Sequence, residues 1–249
     1  MMTPKLYGEL ASWWHVMSAA EDYAEEAQLM RQVLGQAIDG PFRTLLELGS
    51  GGGNTASHLK SELELTLVEP ADGMRSLSET LNPSCEHLPG DMRTLRLERS
   101  FDGVLIHDAI AYMLTEGDLV AAIETAYEHC RPGGAALLVP DHTRETWRPE
   151  TSSGGHDVEG RSMRYLSWSF DPDPSDTTFT TTYAYLLREG SGAARCVEDV
   201  HVEGVFPKAT WLDRMAQAGF DAAALPFEHS SFEEGHERVV FVGRRPSSS

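Results

Sequence analysis

The chain has 249 residues, enough for one large folded domain, and its 20 Lys and Arg against 39 Asp and Glu leave a formal charge of -19. Such a field repels phosphate backbones, so nucleic acid is excluded as the expected partner. Hydrophobic content of 41% and charged content of 24% are those of a soluble globular protein, and no apolar run approaches the roughly 18 residues of a membrane span.

The first residues lack the apolar core of a signal peptide, which makes a cytosolic location the default. Cys85, Cys130 and Cys196 are widely spaced and odd in number. They make neither a disulfide framework nor a metal cluster, and reduced thiols fit the cytosol.

Residues 6–16 are rich in aromatic side chains, with Tyr7, Trp13, Trp14 and His15 among them. A helical period follows over about residues 21–38, with Tyr23, Ala27, Met30, Val33 and Leu34 on one face, and Asp39-Gly40-Pro41 stops it. Leu45-Leu46-Glu47-Leu48 then reads as a short buried strand that breaks into Gly49-Ser50-Gly51-Gly52-Gly53 and resumes as a helix from Thr55. A second strand, residues 63–68, ends in Glu69-Pro70, and a helix begins near Ala71-Asp72-Gly73-Met74. A short strand over 85–88 leads into Gly90-Asp91-Met92-Arg93, and the fourth strand, 101–106, ends in His107-Asp108. The spacing predicts a helix over 118–130, the turn Arg131-Pro132-Gly133-Gly134, and a fifth strand over 135–140.

From 141 to 207 the helical pattern stops. Three β-rich segments, 164–170, 177–187 and 196–206, are separated by Asp171-Pro172-Asp173-Pro174 and Glu189-Gly190-Ser191-Gly192. This predicts an antiparallel insertion over the carboxyl face of the main sheet. It is far longer than a typical connection of about 4–6 residues, which marks it as functional. A helix over 208–218 closed by Gly219, strands over 222–227 and 237–242, and a frayed tail over 244–249 complete the chain.

Strand, glycine turn and helix N-terminus form a cradle for a nucleotide-like ligand. The carboxylate of Glu47 offers nothing to a phosphate, but it suits a cation. Glu47-x-Gly49-x-Gly51-x-Gly53 resembles the first motif of class I S-adenosylmethionine-dependent methyltransferases. A competing parse, Gly51-x-Gly53-x-x-Ala56, fits the dinucleotide fingerprint. Glu69 lies twenty residues after Gly49 and can accept from the ribose hydroxyls of either S-adenosylmethionine or NAD. Arg131-Pro132-Gly133-Gly134 decides between the two: it resembles the methyltransferase turn before the fifth strand and has no dinucleotide counterpart.

The resemblance implies a single domain with an α/β, Rossmann-like, seven-stranded sandwich. Residues 1–40 would be a helical cap, 41–140 the S-adenosylmethionine-binding core, 141–207 a β-rich lid and 208–249 the end of the core. It further implies that Glu47 lies near the cationic methionine end and that Gly49, Ser50, Gly51 and Gly53 admit the backbone to the ligand. Glu69 with Pro70 would hold the ribose. Met74, Asp91 and Met92 would surround the adenine, and His107 and Asp108 would stand at the pocket mouth. Tyr7 and Trp14 would cover the methionyl tail, although core packing is an equal reading of the tryptophans. Small-molecule methyltransferases acting on glycine or amino sugars are the most similar type. A homodimer, with the insertion as lid or as interface, stays open.

An acceptor hydroxyl or ammonium must lose a proton, and histidine is suited to take it near neutral pH. The candidates are His107, His142 after the fifth strand, and His156 in Gly154-Gly155-His156-Asp157, with position favouring His142. His201 lies mid-strand and could face outward. Arg144, Arg148, Arg161 and Arg164 could grip a substrate anion or simply pair with nearby acids. No metal-ligand spacing is diagnostic. The expected activity is methyl transfer to N or O of a small molecule. An NAD-dependent oxidoreductase and a non-catalytic S-adenosylmethionine-binding regulator are the alternatives.

Overall fold

The computed structural model describes residues 3–228 and 238–247. The expected strand start at Glu237 and the last two residues of the tail lie outside that range. The N-terminal segment is a chain of short turns followed by the longer helix the sequence predicts. It has 3-10 turns at Lys5–Tyr7 and Ala11–Trp13, the single-turn helix α1 (Trp14–Met17), a 3-10 turn at Ala20–Tyr23, and then α2 (Ala24–Ala37).

The core alternates strand and helix: β1 (Thr44–Leu48), α3 (Asn54–Leu59), β2 (Glu64–Val68), α4 (Asp72–Leu81), β3 (Glu86–Leu88), β4 (Phe101–His107), α5 (Glu116–His129) and β5 (Cys130–Val139). After the insertion, which holds β6 to β10, come α6 (Lys208–Ala218), β11 (Asp221–Phe227) and β12 (Arg238–Arg244). The seven strands order as β11-β12-β5-β4-β1-β2-β3, and only β12 runs antiparallel to its neighbours. The central strands are buried on both faces, which is why they read as unbroken apolar runs. Leu46, Val104, Leu138 and Trp211 pack one face, while Leu45, Leu67, Leu105 and Met30 pack the other.

The Arg131-Pro132-Gly133-Gly134 signature lies at the amino end of the sheet, inside β5 rather than in a separate turn. Arg131 Nε donates to Asp102 Oδ1 at 2.6 Å. Asp102 Oδ2 also accepts from the backbone N–H groups of Arg43 and Thr44 at 2.9 and 3.0 Å. The motif therefore clamps the start of β1, β4 and β5 together and touches no ligand crevice.

The insertion consists of β6 (Glu150–Gly154), β7 (Asp157–Val158), β8 (Arg161–Phe170), β9 (Thr178–Glu189) and β10 (Arg195–Gly204), all antiparallel in the order β10-β9-β8-β6, with β7 on β8. Glu150 to Gly154 shows no apolar alternation, so the sequence alone points to a polar loop. Its strand exists through pairing, Thr151 opposite Trp168 and Ser152 opposite Ser167. Met163, Tyr185 and Leu187 on the inner face pack against Leu6, Leu10, Trp13 and Val16. The N-terminal turns and the inserted sheet thus share one core above the main sheet. No helix among the described residues is long and apolar enough to cross a membrane.

Candidate active site

The strand order reverses between β1 and β4, and a crevice opens there beyond the carboxyl ends. A cavity of about 640 Å³ is lined by the residues those ends deliver: Glu47 and the glycine turn, Glu69, Asp91, His107 with Asp108, and Asp141. The N-terminal segment adds Tyr7 and Trp14, and the insertion roofs it with Tyr165, Tyr183, His201 and Glu203.

On the β1 side, Gly51 (φ +54°) donates its N–H to Glu69 Oε2 at 2.9 Å, and Ala71 N–H donates to Oε1 at 2.8 Å. Those two bonds fix the Glu69 carboxylate at the wall, while burial pushes its pKa up against them. Glu47 is only 3% exposed, and its Oε2 has no hydrogen-bond partner among the described residues. Burial, partly offset by His107 and reinforced by Glu69, pushes its carboxyl up to about 7. A buried carboxyl oxygen without a partner is costly and fits a cationic ligand.

At the end of β4, His107 Nε2 lies 3.3 Å from Glu26 Oε1 and 3.2 Å from Asp108 Oδ1. Burial opposes its positive charge, but Asp108 and Glu26 outweigh burial and hold its pKa well above the usual histidine value. Arg238 pairs with Glu26 at 3.1 Å and with Asp141. Three carboxylates thus face two cations. Burial and the charge of Asp108 push Asp141 up to about 7. Asp108 itself takes a positive φ of 46° and projects into the cavity. A non-glycine residue held there is strained, a feature that concentrates at functional sites.

Under the inserted sheet a chain of polar contacts runs from the cavity into the protein. Tyr7 and Tyr112 hydroxyls lie 2.9 Å apart, Tyr112 Oη lies 2.8 Å from His201 Nδ1, and His201 Nε2 lies 3.2 Å from Asp199 Oδ2. Asp199 also accepts from the backbone N–H groups of Lys5 and Leu6 at 2.9 and 2.8 Å. Glu203, two residues along β10, accepts from Thr181 Oγ1 at 3.0 Å. Burial and the charges of Asp141 and Asp108 push Glu203 up to about 8.

The chain matches the methyltransferase domain family over residues 45–134. That is the stretch from the first strand through the glycine cradle to the Arg-Pro-Gly-Gly clamp. Those residues make a methyltransferase domain, and the chain is an S-adenosylmethionine-dependent methyltransferase.

The methyltransferase is similar over most of its length to the following proteins. It is 29% identical over 236 residues to a Streptomyces venezuelae dTDP-3-amino-3,4,6-trideoxy-alpha-D-glucopyranose N,N-dimethyltransferase, covering 91% of this chain and 93% of that one. Its fold is similar to that of S. venezuelae DesVI (TM-score 0.82, 22% identity, 97% and 98% of the two chains). It also resembles S-adenosylmethionine-bound CalS10, an amino pentose methyltransferase from Micromonospora echinaspora (TM-score 0.74, 23% identity, 95% of each chain).

Most sequence-derived candidates meet in the one cavity: Tyr7, Trp14, Glu47, Gly49, Ser50, Gly51, Glu69, Pro70, Met74, Asp91, Met92, His107 and Asp108 all line it. Four candidates are corrected by the structure. Gly53 does not reach the cavity. Its φ is +80°, and a Cβ there would stand 2.3 Å from Ser78 Oγ and from Asn82 Nδ2, so close helix packing demands the glycine. His142 turns away from the cavity and packs edge-on against Phe179, with centroids 5.9 Å apart. His156 is exposed at the β6–β7 turn, where its carbonyl accepts from Met163 N–H at 3.0 Å. His107 reaches the cavity, yet as an imidazolium it has no lone pair to take a proton.

The two tryptophans divide: Trp13 is core, and Trp14 lines the cavity. The four arginines are taken up elsewhere: Arg144 pairs with Asp171, Arg164 with Asp157, Arg161 with Glu189, and Arg148 donates to the carbonyl of Glu145. Sequence reasoning gave no role to Tyr112, Tyr165, Tyr183 or Glu203, and it left His201 facing either way. Tyr112 could have been found, because it follows the carboxyl end of β4. The other four depend on the parity of strands in the insertion.

Proposed function

We propose that this methyltransferase N-methylates an amino sugar. The observation that carries the reading is the acidic, aromatic-walled acceptor side of the cavity. Asp108, Asp141 and Glu203 face it, and their mutual repulsion with burial holds Asp141 near 7 and Glu203 near 8. A bound ammonium relieves that repulsion, whereas a neutral hydroxyl does not. Tyr7, Tyr112, Tyr165 and Tyr183 offer ring faces and hydroxyls around the same space, which also suit a cation. The S. venezuelae relative, which acts on a 3-amino sugar nucleotide, supports the same acceptor class.

S-adenosylmethionine, when bound, supplies a methyl carbon on a sulfonium whose charge disappears as the methyl leaves. In this reading Glu47 holds the cationic amino-acid end, which its unpartnered oxygen supports. Backbone at Gly49, Ser50 and Gly51 would admit the ligand, and Glu69 with Pro70 would hold the ribose. Met74, Met92 and Asp91 would hold the adenine, and Tyr7 and Trp14 would cover the tail. The residues act chiefly by alignment and by excluding water, effects that supply about 7–11 kcal/mol in well-oriented systems. Burial opposes the charge of Asp108, but His107 and Arg238 outweigh it and hold that carboxyl down to about 2. A single domain and a cytosolic location are part of the reading, and three free cysteines support the latter.

The test is an assay with S-adenosylmethionine and a matched pair of acceptors, the dTDP-linked 3-amino-3,4,6-trideoxy sugar and its 3-hydroxy counterpart. S-adenosylhomocysteine release with one or two methyl groups added to the amine alone is expected. Methylation of the hydroxy sugar, or of neither, would overturn the proposal.

A further inference from the structure

The contacts behind Tyr7 have a direction that can be worked out from their ends. Asp199 is 4% exposed and already accepts from two backbone N–H groups. Burial raises its pKa, but the bonds from His201 and the backbone outweigh burial and hold it below the usual carboxylate value. As a carboxylate it can only accept, so His201 carries a proton on Nε2, and with the ring neutral Nδ1 is bare. Tyr112, 2.8 Å from that Nδ1, must donate to it. Having spent its only proton, Tyr112 must accept from Tyr7 across their 2.9 Å contact. Tyr7 in turn has donated, and its remaining oxygen lone pair is an acceptor beside the cavity.

We propose that Asp199, His201, Tyr112 and Tyr7 form a relay that takes the proton from the acceptor ammonium, with His201 as the base and Asp199 as its positioning residue. The inference rests on the amine reading above. An ammonium N–H donates to Tyr7 Oη. As that N–H bond breaks, the proton of Tyr7 passes to Tyr112, and that of Tyr112 to His201 Nδ1. The products are a neutral amine, whose lone pair can attack the methyl carbon, and an imidazolium facing Asp199. Burial holds both phenols well above their ordinary pKa, so neither stays ionised and the transfer is concerted. The other titratable groups facing His201 are Tyr183, 4.9 Å away between ring centroids, and Glu203 on the same strand. Both are neutral or anionic and leave the imidazolium unopposed. Water entering as product leaves returns the chain to its starting state.

The relay explains why Asp199 and His201 sit buried at the roof of a cavity, in a lid strand whose outward residues are Val200 and Val202. It also ties the lid to the N-terminal turns, because Asp199 holds the backbone of Lys5 and Leu6 beside Tyr7.

Two measurements test it. The first needs no acceptor: nitrogen-15 NMR of the histidine rings in wild-type protein at neutral pH. A His201 with protonated Nε2 and bare Nδ1 is expected, and the opposite tautomer would overturn the relay. The second compares wild type with His201→Gln, which keeps an acceptor for Tyr112 but no usable base, using the amino sugar nucleotide of the preceding assay. The turnover of His201→Gln at pH 7 should fall about 100-fold or more, with S-adenosylmethionine affinity kept. The deficit should close as pH rises past the pKa of the acceptor, where free amine needs no base. A deficit of constant size at every pH would mean a structural role only, and wild-type turnover would exclude His201. If neither protein methylates the amine, the amine reading fails while the tautomer still reports on the chain itself.

Discussion

Glu47 is a buried residue whose ionisation costs this protein stability. Burial raises its pKa to about 7, so the folded state holds a proton that the unfolded chain releases near the ordinary carboxylate value. The sign follows from linkage. The stability gained by that proton is complete at low pH and is lost as pH rises through about 7. Its size is on the order of 1–3 kcal/mol. Glu47→Gln should therefore melt above wild type at pH 8 and close to it near pH 4, by scanning calorimetry. The same variant should bind S-adenosylmethionine at least tenfold more weakly. Equal affinity would remove Glu47 from the cofactor site. The residue was legible in sequence because a carboxylate at a strand end suits no phosphate. Its unpartnered oxygen was not, since that depends on what every neighbouring side chain does.

At the scale of elements, the glycine turn serves two purposes that one motif conceals. Gly51 faces open space, where an added Cβ would come no nearer to a neighbour than 3.7 Å, from Met74 Cε. Gly53 is instead wedged between α3 and α4 against Ser78 and Asn82. Gly51→Val should leave a folded protein, at a cost of about 1–2 kcal/mol for its left-handed backbone, that no longer binds S-adenosylmethionine. Gly53→Ala should instead lower the melting temperature by more than Gly51→Val does. The reverse ranking of stability would contradict this division. The insertion shows a second limit. Strand β10 presents Val200 and Val202 to the outside, 46% and 36% exposed, while Asp199 and His201 are buried. Apolar residues normally mark the inner face of such a strand. Here the inner face is the wall of a polar cavity, so the usual parity is inverted and the sequence left His201 undecided. His142 failed for a related reason: β5 delivers Asp141 to the cavity, and the next side chain turns onto Phe179.

At the scale of the whole molecule, the seven-stranded sheet was legible because each central strand is a continuous apolar run followed by its ligand-facing residue. Glu47, Glu69, Asp91 and His107 could be placed in one crevice by that rule alone. The N-terminal turns and β6 were not legible, since both are held by tertiary pairing rather than by local pattern: Leu6, Leu10 and Trp13 pack on the inserted sheet, and β6 pairs with β8. The sheet, the glycine turn and the inserted strands together line one cavity, and the proposed amine acceptor requires that S-adenosylmethionine bind in it. The most direct test is a calorimetric titration of the purified protein with S-adenosylmethionine, S-adenosylhomocysteine and NAD. Saturable binding of the two adenosyl ligands, with no heat from NAD, is the predicted result. Binding of NAD alone would contradict the account.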